Sequence, residues 1–311
     1  MISVLGAGVA GLCTATALAE RGLQVEVITP EGAPDPASWL AGGMLAPFCE
    51  GESAPDVVVK MGKDAAGWWG ARVGSLVRNG TLVVAPPRDG AELDRFARAT
   101  QAHQWVKAAD LEPDLDGRFV RGLLFADEAH MDPREALRSL RGRLEAMGVR
   151  FHHGAASGQV IDCTGMAAAA RLPDLRAVRG EMLGLYAPDV TLSRTVRLLH
   201  PRFPCYIVPR ADGHFMVGAT MVESARNGPV SARAMMELLS AAYTVHPAFA
   251  EAEVTETGAG LRPSFPDNVP AIRFQGDRIF VNGMYRHGFL TAPALAENLA
   301  ATLTQEIAHA G

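Results

Sequence analysis

The chain opens with Ile2-Ser3-Val4-Leu5 and passes directly into Gly6-Ala7-Gly8-Val9-Ala10-Gly11. A short apolar run that ends in a glycine turn predicts a buried parallel strand. Leu12 to Arg21 continues as an Ala-rich helix stopped by Gly22, and Val25-Glu26-Val27-Ile28-Thr29 reads as the next strand. A G-x-G-x-x-G carries weight only in this strand, turn, helix, strand setting. Gly6 allows the tight turn, Gly8 admits a pyrophosphate to the backbone, and Gly11 lets the helix lie close on the strand. Free amides at the helix start, with the positive end of its dipole, then face the phosphates. The unit is expected to bind a dinucleotide, with Gly6, Gly8, Val9, Ala10 and Gly11 as its first candidate residues.

One position departs from the pattern. An acid is expected at the end of the second strand, ~20 residues on, to hold a ribose hydroxyl. Thr29-Pro30-Glu31 stands there instead. Thr29 and Pro30 are taken as the ribose side of the site, with the Thr29 hydroxyl as donor and Glu31 within reach. No arginine occurs in residues 29–39 to meet an additional 2′-phosphate.

At 311 residues the chain exceeds the usual single domain of ~100–200 residues, so one large or two intertwined domains are expected. Its 48% hydrophobic and 20% charged residues are ordinary for a soluble enzyme. Lys and Arg number 29 against 34 Asp and Glu, a net charge of −5 with no basic run, which argues against nucleic acid as a partner. Cys13, Cys49, Cys163 and Cys205 form no C-x-x-C and no disulfide framework, as suits a reducing cytoplasm. His152 and His153 are adjacent on a strand and point to opposite faces, so they are not expected to share a metal. No apolar run reaches the ~20 residues that span a bilayer. The small, apolar first 19 residues lack a basic start and are broken by glycines, so they are not read as a signal peptide. A cytoplasmic protein without a membrane partner is expected.

Three further segments extend the nucleotide unit. Ala37-Ser38-Trp39-Leu40-Ala41-Gly42-Gly43-Met44-Leu45 is small-rich enough for backbone to crowd against a large flat ligand, although alone it could be a compact loop. Val160-Ile161-Asp162-Cys163-Thr164-Gly165 reads as a buried strand and glycine turn. It follows a helix from Asp132 to Met147, with Asp132 as N-cap, Pro133 at the first helical position and Glu135 at the third. Arg278-Ile279-Phe280-Val281-Asn282-Gly283 is another strand, followed by Met284-Tyr285-Arg286-His287-Gly288-Phe289-Leu290-Thr291-Ala292-Pro293 and a helix from Ala294 to His309.

Together these segments resemble the D-amino-acid-oxidase family of FAD enzymes. The resemblance implies that Ala37, Ser38, Gly42, Gly43 and Met44 run along the pyrophosphate and flavin, and that Thr164 and Gly165 close on the cofactor. It implies that Met284, Tyr285, Arg286, His287, Gly288, Phe289 and Leu290 return to the flavin ring. A helix start aimed there stabilises the anionic reduced flavin. Residues 150–159 are a trimmed version of a longer family insertion. Related sarcosine oxidases attach flavin through a cysteine within the stretch matching residues 257–293, where this chain has none, so FAD is expected to be held non-covalently.

From Arg179 to Gly260 apolar runs alternate, and Cys205-Tyr206-Ile207-Val208-Pro209-Arg210 and His214-Phe215-Met216-Val217-Gly218-Ala219-Thr220 flank a D-G turn as a β-hairpin. Ala232 to Tyr243 reads as a helix. The family pattern implies an α/β (overall α+β) fold, a Rossmann-like FAD-binding domain interleaved with an antiparallel-sheet substrate domain. Residues 1–75, 128–178 and 258–311 fall to the first, and residues 76–127 and 179–257 to the second.

Within the family, the glycine-oxidase branch that serves thiamine synthesis is the nearest match. It is carried by Val178-Arg179-Gly180-Glu181-Met182, the Cys205–Arg210 run, Val217-Gly218-Ala219-Thr220-Met221, and Gly260-Leu261-Arg262-Pro263 with Asp267 and Pro270. By resemblance Arg262 takes a substrate carboxylate as a planar fork, Arg286 assists and Tyr206 donates its hydroxyl. Met221 reads first as packing, with its backbone carbonyl as a candidate acceptor for the amine. The plain structural alternatives are an Arg262–Asp267 salt bridge, Tyr206 as a core aromatic, Met221 as packing and His287 as a shaper of the pocket. The implied reaction is hydride transfer from glycine to flavin, an imine that water converts to glyoxylate and ammonia, and O2 reduced to H2O2. A thiazole synthase would use the imine, and a homo-oligomer is a family habit. An N-methyl amino acid such as sarcosine, or another small amino acid such as a D-amino acid, is the neighbouring substrate reading. A flavin module without turnover leaves the arginines idle, and an NAD-linked dehydrogenase leaves the two flavin segments idle.

Overall fold

The computed structural model describes residues 1–200 and 204–310. Among these, a six-stranded sheet runs in the order Ala271–Gln275, Arg278–Asn282, Gln159–Asp162, Ile2–Leu5, Val25–Ile28, Arg150–His152. All neighbours are parallel except the first pair, which is antiparallel. Ile2, Val4, Val25, Val27 and Ile161 are buried, as a sheet covered on both faces requires.

The glycine-motif helix Val9–Ala19 is buried on almost every face, which its small Ala, Gly, Thr and Cys residues permit. It packs against the C-terminal helix Gly288–Ala310. Both helices begin earlier than the sequence reading placed them. The first starts at Val9 rather than Leu12, so the last glycine of the motif already lies in its first turn. The second starts at Gly288 rather than Ala294 and carries Pro293 inside. A proline there has no N–H for the carbonyl four residues back. That carbonyl, Phe289 O, accepts the Trp69 indole instead, at 2.8 Å.

The second sheet has nine strands among the described residues: Val222–Glu223, Arg176–Tyr186, His214–Gly218, Cys205–Pro209, Thr195–Leu198, Thr81–Val84, Gly122–Phe125 and Gln104–Val106 in order, with Glu253–Ser264 paired on Arg176–Tyr186. The expectation of an antiparallel sheet needs one amendment, because Thr195–Leu198 and Thr81–Val84 run parallel. The hairpin at Asp212-Gly213 forms as expected, both residues at positive φ (55° and 73°) and His214 N bonded to Ala211 O. Helix Ala232–Val245 covers this sheet with Leu238, Ala241, Ala242 and Val245.

Helix Pro133–Ala146 is capped as the sequence predicts, Asp132 accepting from the amides of Arg134 (2.8 Å) and Glu135 (3.2 Å). The strands Arg176–Tyr186 and Glu253–Ser264 pair from Arg176 opposite Ser264 onward, so both run unbroken past the expected domain boundaries at 178 and 257.

Candidate active site

Four turns leave the parallel sheet at one edge, the C-terminal ends of Ile2–Leu5, Val25–Ile28, Gln159–Asp162 and Arg278–Asn282. Ligands of such sheets bind outside these ends. Gly6 (φ 95°) sits against the Cys163 carbonyl, where a Cβ would come within 2.8 Å. A Cβ on Gly11 would come within 1.9 Å of Gly6 O, so only glycine lets this helix lie on the turn. Val9 N donates to Ser38 Oγ at 3.0 Å, which ties the Ala37–Leu40 turn to the helix start. The amides of Ala10 and Gly11 lie in the first turn, where the helix offers no acceptor.

The start of the C-terminal helix lies beside this one. A Cβ on Gly288 would meet Val9 Cγ1 at 3.0 Å. Two helices of 11 and 23 residues thus bring their positive ends together at the same sheet edge. A glycine-lined cradle with two helix starts fits a pyrophosphate joined to a ring that becomes anionic on reduction.

Gly42 and Gly43 continue the cradle. A Cβ on Gly42 would strike the Tyr206 ring at 2.7 Å, and one on Gly43 would strike Met131 O at 2.1 Å. Met44 pairs with His130 in a two-stranded ribbon. Thr164 is fixed by Asp162, which accepts from its hydroxyl (2.6 Å) and amide (3.1 Å). Gly165 O accepts from Asn282 Nδ2 at 3.0 Å. Farther along the edge, Thr29 O takes the His153 ring at 2.7 Å, while His152 turns to Glu26 at 3.0 Å, so the two histidines face apart. Pro30 and Glu31 are exposed.

The substrate-side candidates converge from three places. Tyr206 stands on Cys205–Pro209, Arg262 on Glu253–Ser264, and Arg286 in the loop before the C-terminal helix. Burial pushes the Tyr206 hydroxyl up and the Arg262 guanidinium down, and both arginines bear electrostatically on Tyr206. Arg262 Nη1 donates to Thr220 O at 2.9 Å. Its guanidinium lies over Gly180, where a Cβ would come within 2.2 Å. No carboxylate among the described residues pairs with Arg262. Asp267 is exposed and caps Val269 N at 3.0 Å, so the expected alternative of an Arg262–Asp267 salt bridge is not formed.

Thr220, which receives Arg262, is itself pinned. Its hydroxyl donates to Glu181 Oε2 at 3.1 Å and accepts from Glu181 N at 2.9 Å. Glu181 is held in turn by Arg179 (3.0 Å) and Ser231 N (2.8 Å). The Arg179-Gly180-Glu181 stretch therefore works by leaving room for a guanidinium and fixing its acceptor.

Arg286 is differently placed from Arg262. Its Nε donates to Glu50 Oε2 at 2.8 Å, and Nη2 bonds the same oxygen. Nη1 lies 3.1 Å from Met221 Sδ, and Tyr285 OH lies 3.6 Å from the same sulfur. Met221 is 42% exposed, at the open side of the cluster. Burial alone would push Arg286 down, but Glu50 outweighs it and raises it. Burial would likewise raise Glu50, yet Arg286, His287 and Arg197 bring it to about 2. His287 is buried with Nδ1 3.5 Å from Glu50 and no hydrogen bond. Burial lowers it to about 4 against the pull of Glu50, so the ring is neutral at pH 7. Sequence reasoning missed Glu50, because no local pattern marks a carboxylate whose partner lies 236 positions away.

A family model described as FAD dependent oxidoreductase (DAO) matches residues 1–302. A protein of Rhizobium etli, provisionally named thiamine biosynthesis oxidoreductase ThiO, is 54% identical over 316 residues, covering 98% of this chain and 97% of its own. A bifunctional ThiO/ThiG protein of Trichormus variabilis is 24% identical, covering 98% of this chain and 53% of its own. Among solved structures, iminodiacetate oxidase from Chelativorans sp. BNC1 aligns with a TM-score of 0.84 at 21% identity, over 98% of this chain and 95% of that one. Glycine oxidase from Geobacillus kaustophilus aligns with a TM-score of 0.81 at 24% identity, over 98% and 94%. At those identities the two structures speak to a shared fold.

Proposed function

The chain belongs to the family of FAD-dependent oxidoreductases, and from that premise we propose that it oxidises glycine to the imine, which water converts to glyoxylate and ammonia. The observation that carries this reading is Arg262, a half-buried guanidinium with no carboxylate partner among the described residues. A cation drawn out of water without a counter-charge is costly unless a ligand supplies one. The carboxylate of an amino acid does so with two parallel hydrogen bonds.

Bound FAD supplies the hydride acceptor and, with O2, the route to H2O2. Ala10 and Gly11 amides with the Gly6 and Gly8 turn hold the pyrophosphate in this proposal. Thr29 and Pro30 border the ribose. Ala37, Ser38, Gly42, Gly43, Met44, Thr164 and Gly165 would line the cofactor, and residues 284–290 with the C-terminal helix start would lie on its flavin side. Arg262 grips the substrate carboxylate and Tyr206 donates to it. Arg286, already engaged by Glu50, supplies positive potential beside it, and the Met221 carbonyl receives the amine. No side chain need take a proton from carbon: Glu50, held at about 2, and His287, lowered to about 4, are both weak bases. Alignment of the substrate is the work left to the protein.

The purified protein should be yellow. Anaerobic glycine should bleach it and air restore it, with peroxide formed. All four cysteines are buried, and acid should release the flavin intact. The exposed Met221 side leaves the amine end open, which supports keeping sarcosine and iminodiacetate in the panel beside small D-amino acids. Failure of every amine to bleach the flavin would end the oxidase reading. Delivery of the imine to a thiazole synthase is proposed with it, supported by the ThiO/ThiG fusion.

A further inference from the structure

Glu128 lies outside the groups assigned above. It is 1% exposed, its Oε1 accepts Cys49 N at 2.7 Å, and its Oε2 has no hydrogen-bond partner among the described residues. On the other side of Cys49, Arg197 Nη1 donates to Cys49 O at 3.4 Å. Cys49 is therefore held at its amide and its carbonyl, by a carboxyl ahead of Ala129–His130 and a guanidinium on Thr195–Leu198. The helix these groups hold, Pro47–Glu50, is a single turn of four residues, too short to keep its shape unaided. Its last residue is Glu50, the partner of Arg286.

We propose that Glu128 is a positioning residue: it fixes Cys49, the short helix fixes Glu50, and Glu50 fixes Arg286 at the substrate. The inference rests on the reading of Arg286 as a substrate-side group. The charged and titratable groups facing Glu128 are Glu50, Arg197 and the Cys49 thiol, with the Thr81 hydroxyl beside them. Burial raises the Glu128 carboxyl to about 7, so it passes between charged and neutral acceptor near neutral pH. The charged form accepts more strongly.

The test compares FAD-loaded wild type, Glu128→Ala, Glu128→Gln, Glu50→Gln and the Glu128→Ala/Glu50→Gln double variant, on the best substrate of the panel from pH 6 to 9. Glu128→Ala should raise KM about tenfold with a much smaller change in kcat, the cost of losing a charge-assisted acceptor. Glu128→Gln keeps a neutral acceptor oxygen, so its KM should lie near that of wild type at pH 6, where the carboxyl is protonated, and well below that of Glu128→Ala. It should also lack the rise in KM that the wild type shows as pH falls below about 7. In the Glu50→Gln background, Glu128→Ala should add nothing. An unchanged KM in Glu128→Ala, or an effect undiminished by Glu50→Gln, overturns the proposal. If Glu128→Ala does not fold, the Glu128→Gln pH profile decides, and one matching the wild type overturns it. Wild type that oxidises no amine defeats the substrate reading alone. The flavin absorption band then decides: equal, non-additive shifts in Glu128→Ala and Glu50→Gln support the positioning role, and no shift in Glu128→Ala overturns it.

Discussion

The two candidate arginines, from different segments of the chain, are held in different electrostatic states. Arg286 has a carboxylate partner and Arg262 has a backbone carbonyl. In the proposed reading this difference makes Arg262 the cation free to take a substrate carboxylate. Arg262→Lys replaces a fork with a point charge and should raise KM for glycine by roughly ten- to a hundredfold with less effect on kcat, measured by peroxide initial rates. Gly180→Ala tests the same geometry from below. Its Cβ would come within 2.2 Å of Arg262 Nη2, the mobile end of a side chain rather than backbone. The variant should fold with little loss of Tm, retain FAD and show a raised KM. Gly11→Ala should behave oppositely, because its Cβ would meet the fixed Gly6 carbonyl at 1.9 Å. Poor flavin retention with a lowered Tm is expected there.

At the scale of elements, the site is built where helix starts and strand ends meet. The C-terminal helix keeps its early start because Trp69 replaces the hydrogen bond that Pro293 cannot give. Trp69 is fully buried and its ring lies 5.4 Å from that of Phe289. Trp69→Phe should therefore keep most of the packing and lose the donor, costing about 1–2 kcal/mol by leaving a buried carbonyl unpaired. Thermal unfolding of the FAD-loaded protein should show the lower Tm. Loosening this helix start should also weaken FAD binding, readable as a raised Kd by flavin fluorescence.

For the whole molecule, burial of ionisable groups sets the response to pH. Hydrogen bonds from Arg150, Ser157, Ser3 and His152 hold Glu26 far below the carboxylate range against its burial, and Glu50 is held at about 2. A lowered folded value means stability present above the unfolded value of about 4.5 and lost as pH falls. Burial lowers His130 and His287 to about 4, so their contribution is lost from about pH 6.5 downward. Glu128 has the opposite sign. Raised to about 7, it stabilises fully below about 4.5, and that contribution is lost as pH rises through 7. The Tm of Glu128→Gln minus that of wild type should accordingly grow from pH 4.5 to pH 8. A difference that stays flat across that range would contradict the sign. No helix among the described residues is long and apolar enough to cross a membrane.

The sequence alone determined the nucleotide unit, because the pattern that marks it is local. Strand, three glycines, helix and second strand lie within the first 28 residues, and each glycine answers to a contact a few positions away or to a neighbouring turn. The capped helix at Asp132 and the D-G hairpin were legible for the same reason. Tyr206, Arg262 and Arg286 came forward as candidates through family resemblance, as residue types without their partners. Tertiary structure alone decided those partners. Glu50 meets Arg286 across 236 positions, Glu128 meets Cys49 across 79, and Thr220 meets Arg262 across 42. A charge takes its meaning from what the fold sets within about 4 Å of it, and periodicity along the chain does not carry that information.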